Sequence, residues 1–412
     1  MARKALDLVR IGSLTAALEA EYGSTTSSAG DVGPIEIVRA PGTVNLIGDQ
    51  TDSNEGFVLS AAIELETWIA FRRRRDGHVR VAARASREVG SFWIDDLEPA
   101  TDGRAAGRAP GSSEGWSDYV AATAWSLREA ALPIRGFDGF VDSTIPPAGG
   151  ISSAAALELA SAVALLGGGA TTAPALAALA QRAERDYLGL DCGIVDQYAS
   201  AAGREGRALM LDCRSLDARY VGLPFGIRLV LCDTGSGGEG SRAAYETRRA
   251  ECARAVALLA ERMPGLCSMR DLDAASLRRH RAVLTERLAR RVEHVISENG
   301  RVVATTAALE AGDLDDLGRI FAESHASHRD RYEVSTPALD AMVEVAAAIP
   351  GVVAARMTGA GLGSCTVNLV LADAVPALEA AVSREYARRT GLAGHVYPVA
   401  IVDGAGPVNL AS

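Results

Sequence analysis

The first twenty residues, MARKALDLVRIGSLTAALEA, set apolar side chains three and four apart among charged ones, a spacing that predicts an amphipathic helix docked on a surface. They lack the apolar block and small-residue cleavage site of a secretory leader. Beyond the small-residue stretch GSTTSSAGDVG the period shortens, and PIEIVRAPG, FVLSAAI, ETWIAFRR and VRVAARA read as short strands with turns. The last two flank Arg72 to Arg75 and a Gly turn, so they read as a β-hairpin whose arginines line a solvated edge. A second loop-like stretch, PATDGRAAGRAPGSSEG from Pro99, ends this strand region. From Trp116 the pattern turns helical, SDYVAATAWSLREAAL, closed off by Pro133. Strand-like GFDGFVDSTIP leads into PPAGGISSAAALELASAVALLGGG, read as a Pro/Gly loop, two serines and an Ala/Leu helix that stops at glycines. After a third loop, GLPFG near residue 222, GIRLVLCDTG reads as a buried strand opening a second domain. Residues 241 to 325 are mostly helical in pattern, and GVVAARMTGAGLGSCTVNLVLAD is strand, glycine loop, strand.

A chain of 412 residues is too long for one ordinary core, which predicts two domains packed around a cleft, a common place for a ligand. Its 48% hydrophobic content and mean hydropathy of +0.09, with no apolar run of membrane-span length, are those of a soluble globular protein. The six cysteines are scattered singly with no Cys-x-x-Cys, so reduced thiols and a cytoplasmic location are expected. A net charge of −10 and a pI near 5.3 argue against nucleic-acid binding.

The loop Pro147 to Ile151 feeding Ser152 and Ser153 at a helix start is a plausible phosphate cradle, since free N–H groups and the helix dipole both favour an anion there. The serine hydroxyls could equally cap the helix or bind Mg²⁺. No Gly-x-x-x-x-Gly-Lys-Ser/Thr occurs, which excludes a Walker-type loop. Gly359, Gly361 and Gly363 are followed by a strand pattern, so a Rossmann turn fails on context; a tight loop against another loop or a ligand remains open. Asp196, in DCGIVDQYAS, stands at a helix start as either a general base or a cap. His325 and His328, with Glu323, have metal-like spacing, but with two imidazoles and no third partner nearby they read as surface or packing residues.

Taken together these segments resemble the galactokinase branch of the GHMP small-molecule kinases, the family of galacto-, homoserine, mevalonate and phosphomevalonate kinases. RAPGTVNLIGDQTD resembles the family's first motif, PPAGGISSAAALELA its second and RMTGAGLGSCTVNLV its third, in order along the chain. WSDYV, LDCGIVDQYASAAGREGRALMLDCRSL, RRVEHVISENGRV and ESHASHRDRYEVSTPALD resemble stretches of galactokinases between them. The resemblance implies an α+β, two-domain GHMP kinase fold: an N-terminal domain of mixed sheet and helices over residues 1–222, and a ferredoxin-like C-terminal domain over 223–394. The C-terminal strand 395–412 would rejoin the first domain, and the cleft would hold ATP, Mg²⁺ and a sugar-like acceptor. Ser153 is implied as a Mg²⁺ ligand with Glu184 as its carboxylate partner, oxygen donors that suit a hard cation. Gly149, Gly150, Ser152, Gly359 and Gly361 are implied at the phosphates and Trp116 near the nucleotide. Asp196 takes the catalytic position, orienting or deprotonating the attacking hydroxyl.

The first motif departs from the family's usual Arg-Val-Asn-Leu-Ile-Gly-Glu-His-Thr-Asp-Tyr. Thr43 stands for the arginine, Asp49 for the glutamate, Gln50 for the histidine and Ser53 for the tyrosine, while Asn45, Gly48, Asp52 and Asn54 are kept. In the family the Glu-His pair lies toward the C6 end of the sugar, the aspartate grips the O3 and O4 hydroxyls, and the arginine sits by the anomeric oxygen. Keeping Asp52 while changing Asp49 and Gln50 implies an acceptor with a similar vicinal diol and a different C6 end. Losing the arginine removes a fixed positive charge near the reaction. Ala154 stands where another serine is common, Gly193 and Tyr245 match acceptor-contacting positions, and DTGSGGEG departs from the family's sequence before Tyr245. The implied activity is Mg-ATP-dependent phosphorylation of the C1 hydroxyl of a modified galactose or a carbocyclic pseudo-sugar, a cyclitol, with or without a phosphate at its C6 end. Ordinary galactokinase is the alternative in the same class, and a non-catalytic sensor of sugar and ATP the alternative from another. No stable partner protein is expected, and the resemblance is compatible with a monomer.

Overall fold

The computed structural model describes residues 2–23, 33–86, 88–99, 115–146, 150–167, 171–237, 241–359, 361–362 and 365–408. The loop-like stretches at 24–32 and 100–114 therefore lie outside the described residues, as does Gly149.

The larger of two sheets has eight strands: β1 (Glu36–Ile47), β2 (Phe57–Arg73), β3 (His78–Ala83), β4 (Gly90–Trp93), β5 (Phe137–Ser143), β6 (Arg207–Asp212), β7 (Ala218–Gly222) and β12 (Gly406–Pro407). Its order is β12-β1-β2-β5-β3-β4, with β6 and β7 continuing from the other end of β2. The smaller sheet, β8 (Ile227–Asp233), β9 (Val352–Met357), β10 (Cys365–Leu371) and β11 (His395–Val399), runs β11-β8-β10-β9, antiparallel throughout. An order of 4-1-3-2 is the ferredoxin-like arrangement, so the α+β, two-domain expectation holds.

The helices follow the apolar periodicity. Helix α1 (Ala2–Tyr22) buries Leu14 and Leu18 against Trp68, and α2 (Trp116–Glu129) starts at the residue where the helical pattern begins. Helix α3 (Ser153–Leu166) ends at Gly167, whose φ of 64° is the left-handed conformation that closes a helix with no Cβ penalty. Helices α4 (Ala173–Arg182) and α5 (Val195–Ala202) are joined by a π-helical turn over Ala183–Tyr187. Then come α6 (Ser241–Ala260), α7 (Ala274–His280), α8 (Glu286–Ala311), α9 (Leu314–Ser327) and α10 (Pro337–Ala347). The principal apolar core runs from the large sheet through α2 and α3 into the small one, where Leu229, Leu231, Val367 and Leu369 join it.

Three strand expectations change. FVLSAAI and ETWIAFRR form one 17-residue strand, β2, whose register against β1 jumps between Pro41 and Gly42. β2 and β3 do not pair as a hairpin: β5 lies between them, antiparallel to β2 and parallel to β3. Arg72 to Arg74 consequently leave the solvated edge for ion pairs, Arg72 with Glu19 of α1, Arg73 with Glu36 and Arg74 with Asp76 and Asp138. The stretch 395–412, expected to rejoin the first sheet, divides. Residues 395–399 pair with β8, and the chain crosses back from Ala400, which bonds Glu64, through Ile401, which bridges Ile63, and Val402, which bonds Ala62, to β12.

Candidate active site

The end of β1, the approach to α3, the start of α5, Tyr245 of α6 and the turn after β9 surround a cavity of about 390 Å³. It gathers Thr43, Asp49, Gln50, Asp52, Gly150, Ser152, Glu184, Gly193, Asp196, Tyr245 and Gly359 from the expected set. Among the described residues, five carboxylates and no arginine or lysine line it: Asp49, Asp52, Glu184, Asp191 and Asp196.

Asp196 sits one residue into α5, whose N-cap is Ile194, so its carboxylate does not cap the helix. Instead Oδ1 accepts a hydrogen bond from Thr43 Oγ1 at 2.9 Å, and the Ser152 hydroxyl also reaches the carboxylate. Burial raises the Asp196 pKa, opposed by those two hydroxyls and reinforced by the negative charge of Asp49. A carboxylate held above its ordinary range beside a cavity is suited to accept a proton.

At the end of the cavity expected to take the acceptor, Asp52 opens a single 3₁₀ turn, Asp52–Asn54, and faces Gly193 so closely that a Cβ there would overlap its carboxylate. Burial pushes the Asp52 pKa up to about 6, against the Ser53 N–H and the Arg249 charge that favour the ionised form. Arg249 stands behind the wall, ion-paired to Asp191 at 2.6 Å and hydrogen-bonded with Tyr245. Asp49 is differently committed. Its Oδ1 accepts from Asn45 Nδ2 at 3.0 Å and from the Gly359 N–H at 2.8 Å, and Oδ2 lies 2.6 Å from Arg356 Nη2, with both side chains buried. Gln50, in left-handed conformation at φ 70°, donates Nε2 to the Gly359 carbonyl at 3.4 Å and leaves Oε1 without a partner.

At the end expected to hold the phosphates, Ser152 occupies the N-cap of α3 but makes no capping bond; its hydroxyl lies 2.7 Å from Thr43 Oγ1. The first-turn N–H groups of α3 thus receive no side-chain cap, which favours an anion there. Gly150 and Gly359 bring the second and third motifs together, a Cβ on Gly359 falling 3.6 Å from the Gly150 carbonyl. Glu184, 8% exposed in the π-helical turn, shares a hydrogen bond with the fully buried Glu158, whose Oε2 accepts from Gln197 Nε2 at 3.4 Å. Burial first and the Glu184 charge second raise the Glu158 pKa well above the carboxylate range. The Glu158–Glu184 pair offers carboxylate oxygen of the kind a hard divalent cation takes, whereas Ser153, the other expected ligand, is exposed at the start of α3.

Ser153, Trp116 and Gly361 are not in the cavity wall; Trp116 packs on the core at the start of α2, and Gly361 lies against Val334. Sequence reasoning missed Glu158 and Arg356. Each carried a signal, a lone carboxylate in the apolar run AAALELASAVALL and a lone guanidinium in a strand buried over Ala354–Met357. The expected pair of His325 and His328 is split: only His328 joins a cluster, its ligand atoms lying within 4.8 Å of those of His294 and Glu298 of α8, all three fully buried. Burial lowers both histidine pKa values, and Glu298 already accepts from Arg301 Nε at 2.6 Å, Ser324 Oγ and the Gly48 N–H. The guanidinium supplies the countercharge, and the cluster packs α8 and α9 beneath the first motif. His325 pairs with Asp340, and Glu323 points outward to Arg319.

Residues 26–73 match the galactokinase galactose-binding signature, residues 118–204 the N-terminal domain of GHMP kinases and residues 305–388 their C-terminal domain. A galactokinase of Roseiflexus sp. strain RS-1 is 40% identical over 377 residues, covering 91% of this chain and 93% of that protein. The chain is a GHMP kinase of the galactokinase-like branch. A galactokinase of Chloroflexus aggregans is 39% identical to this kinase, with 90% and 93% covered. The crystal structure of Lactococcus lactis galactokinase complexed with galactose aligns at a TM-score of 0.87 and 30% identity, over 97% of this kinase and 100% of that chain. Methanococcus jannaschii mevalonate kinase, 15% identical with a TM-score of 0.63, shares the fold over 90% and 99% of the two chains. No described helix is long and apolar enough to cross a membrane.

Proposed function

We propose that this sugar kinase transfers the γ-phosphoryl group of ATP to the C1 hydroxyl, anomeric or equivalent, of a galactose-like ring altered at its C6 end, a modified hexose or a cyclitol. Asp196 accepts the hydroxyl proton as the oxygen bonds to the γ-phosphorus. The bond to the β,γ-bridging oxygen breaks, and ADP leaves with its electron pair. Asp52 and Gly193 take the vicinal diol, Tyr245 and Gln50 the rest of the ring, and Gly150, Gly359 and the uncapped start of α3 the phosphates. Mg²⁺, bound through Glu184 and the Ser153 hydroxyl, would neutralise charge on the phosphates.

The observation that carries the altered acceptor is the commitment of Asp49. One of its oxygens accepts from Asn45 and Gly359 and the other faces the Arg356 guanidinium at 2.6 Å, which turns the neighbouring Gln50, whose Oε1 has no hydrogen-bond partner, to the C6 end. A site whose polar groups match one hydroxyl pattern penalises another. Unmodified galactose is the second reading, favoured by the retained Asp52 and by the galactokinases among the relatives. The test is ADP release with Mg-ATP over galactose, C2- and C6-modified hexoses, uronic acids, and cyclitols with and without a phosphate, each repeated with Asp196→Asn. Turnover of a C6-changed ring or a cyclitol above galactose, abolished by Asp196→Asn with nucleotide binding kept, is the expected result. Preference for galactose selects the second reading, and binding without any turnover selects a sensor.

A further inference from the structure

We propose that Thr43 is a positioning residue for Asp196, acting with Ser152 to hold one carboxylate oxygen while the other faces the acceptor. This rests on Asp196 being the base. Thr43 is 1% exposed on β1, and its single hydroxyl proton goes to Asp196 Oδ1 at 2.9 Å. Thr43 Oγ1 also lies 2.7 Å from Ser152 Oγ, and the Ser152 hydroxyl reaches the same carboxylate, so the two side chains form a triangle with Asp196 in which each hydroxyl has one proton to give.

The backbone supports the same reading. Ser152 is held at φ 55°, ψ 45°, a left-handed conformation that a non-glycine residue adopts only at a cost. Its hydroxyl gains no helix cap in exchange, and it points to Thr43 and Asp196. Among the described residues, the charge that acts on Asp196 is the acidic Asp49, and Asp196 in turn acts on the acidic Asp52 and Glu158. Among the described residues, no arginine or lysine in the cavity wall offers the carboxylate a fixed positive partner. Neutral donors therefore fix its orientation, and through Ser152 they couple the base to the loop at the phosphate end.

The experiment compares Thr43→Val, Thr43→Ser and Ser152→Gly, using Mg-ATP and the best acceptor of the panel. Thr43→Val keeps the shape and removes the hydroxyl. It should lower kcat about 10- to 100-fold, the effect of one lost hydrogen bond to a charged group, with KM for ATP within about threefold. Thr43→Ser should restore kcat to within about threefold, and Ser152→Gly should lower kcat although it relieves the backbone. A second measurement needs no acceptor: the Asp196 carboxyl titration followed by ¹³C NMR, expected to move up by about one pH unit in Thr43→Val. Unchanged kcat or an unchanged titration in Thr43→Val overturns the proposal, as does failure of serine to rescue. Asp196→Asn keeps the two ideas apart: if that variant still turns over, the base assignment has failed, whereas an inactive Asp196→Asn beside a fully active Thr43→Val condemns only the role of Thr43.

Discussion

At the scale of single residues, the acceptor wall sets function against stability. Asp52 titrates near 3.8 when solvated and about 6 when folded, so the unfolded chain loses its proton first. Its contribution to stability is greatest below pH 4, falls as pH rises to about 6, and is then a penalty of up to about 3 kcal/mol. Asp52→Asn should therefore melt higher than the wild type at pH 8, with the gap closing by pH 4, while its acceptor KM rises at least tenfold. Thermal melts at the two pH values and a KM series check both halves, and equal melting temperatures at pH 8 would refute the penalty. This pair of effects was half legible in the sequence. The motif pointed to Asp52 as an acceptor ligand, but its pKa depends on burial and on Asp196 and Arg249, which are distant along the chain. Asp49 shows the same limit more sharply: its sequence neighbours suggested a sugar contact, whereas its partner Arg356 comes from β9, over 300 residues away.

At the scale of elements, periodicity recovered what is local. Helices α1 and α2 lie where the helical pattern placed them, and α3 lies between the two serines and the glycines that were read as its limits, with Gly167 stopping it. Alternation gave the strands but not their partners, since a period of two says that one face is covered and nothing about which neighbour hydrogen-bonds. That is why β5, which follows α2 in the chain, could enter between β2 and β3 unseen. The turn leaving β1 illustrates an element fixed by one backbone position. Gly48 has φ 96°, and a Cβ on it would meet the Phe57 carbonyl at 2.6 Å and Val302 of α8 at 2.7 Å. Gly48→Ala should cost about 1–3 kcal/mol or more, from strain plus the forced shift of α8. Urea unfolding measures it; a loss under about 0.5 kcal/mol would mean that the turn relaxes freely. Because the Gly48 N–H also donates to Glu298, the same variant should disturb the buried histidine cluster.

At the scale of the whole molecule, the first and third motifs form one seam. Arg356 Nη1 donates to the Leu46 carbonyl at 3.0 Å, Thr358 Oγ1 to that of Asn45 at 2.8 Å, and Asp49 receives the Gly359 N–H while facing the Arg356 guanidinium. Arg356→Met removes one partner of a buried pair and leaves Asp49 uncompensated, a change expected to cost about 3–5 kcal/mol. Adding Asp49→Asn should recover part of that loss, which a double-mutant cycle in urea would quantify; no recovery would mean that Arg356 acts through the Leu46 carbonyl instead. The two-sheet plan and the cleft were legible from length and motif order, but the seam was not, because it exists only where distant strands end side by side. The return of the C-terminal stretch to the first domain was expected, but its division between the two sheets was hidden for the same reason. Glu64 N–H donates to the Ala400 carbonyl, Val402 N–H to that of Ala62, and β12 covers the outer side of β1. A ribosome therefore builds the large sheet out of order: β1 to β7 emerge first, and their closing segment follows roughly 180 residues later, on the order of 10–40 s at ordinary elongation rates. For that interval β1, which carries Thr43 and Asn45, has an open edge in the crowded cell, and the time spent waiting for residues 400–407 becomes part of what this sequence must survive.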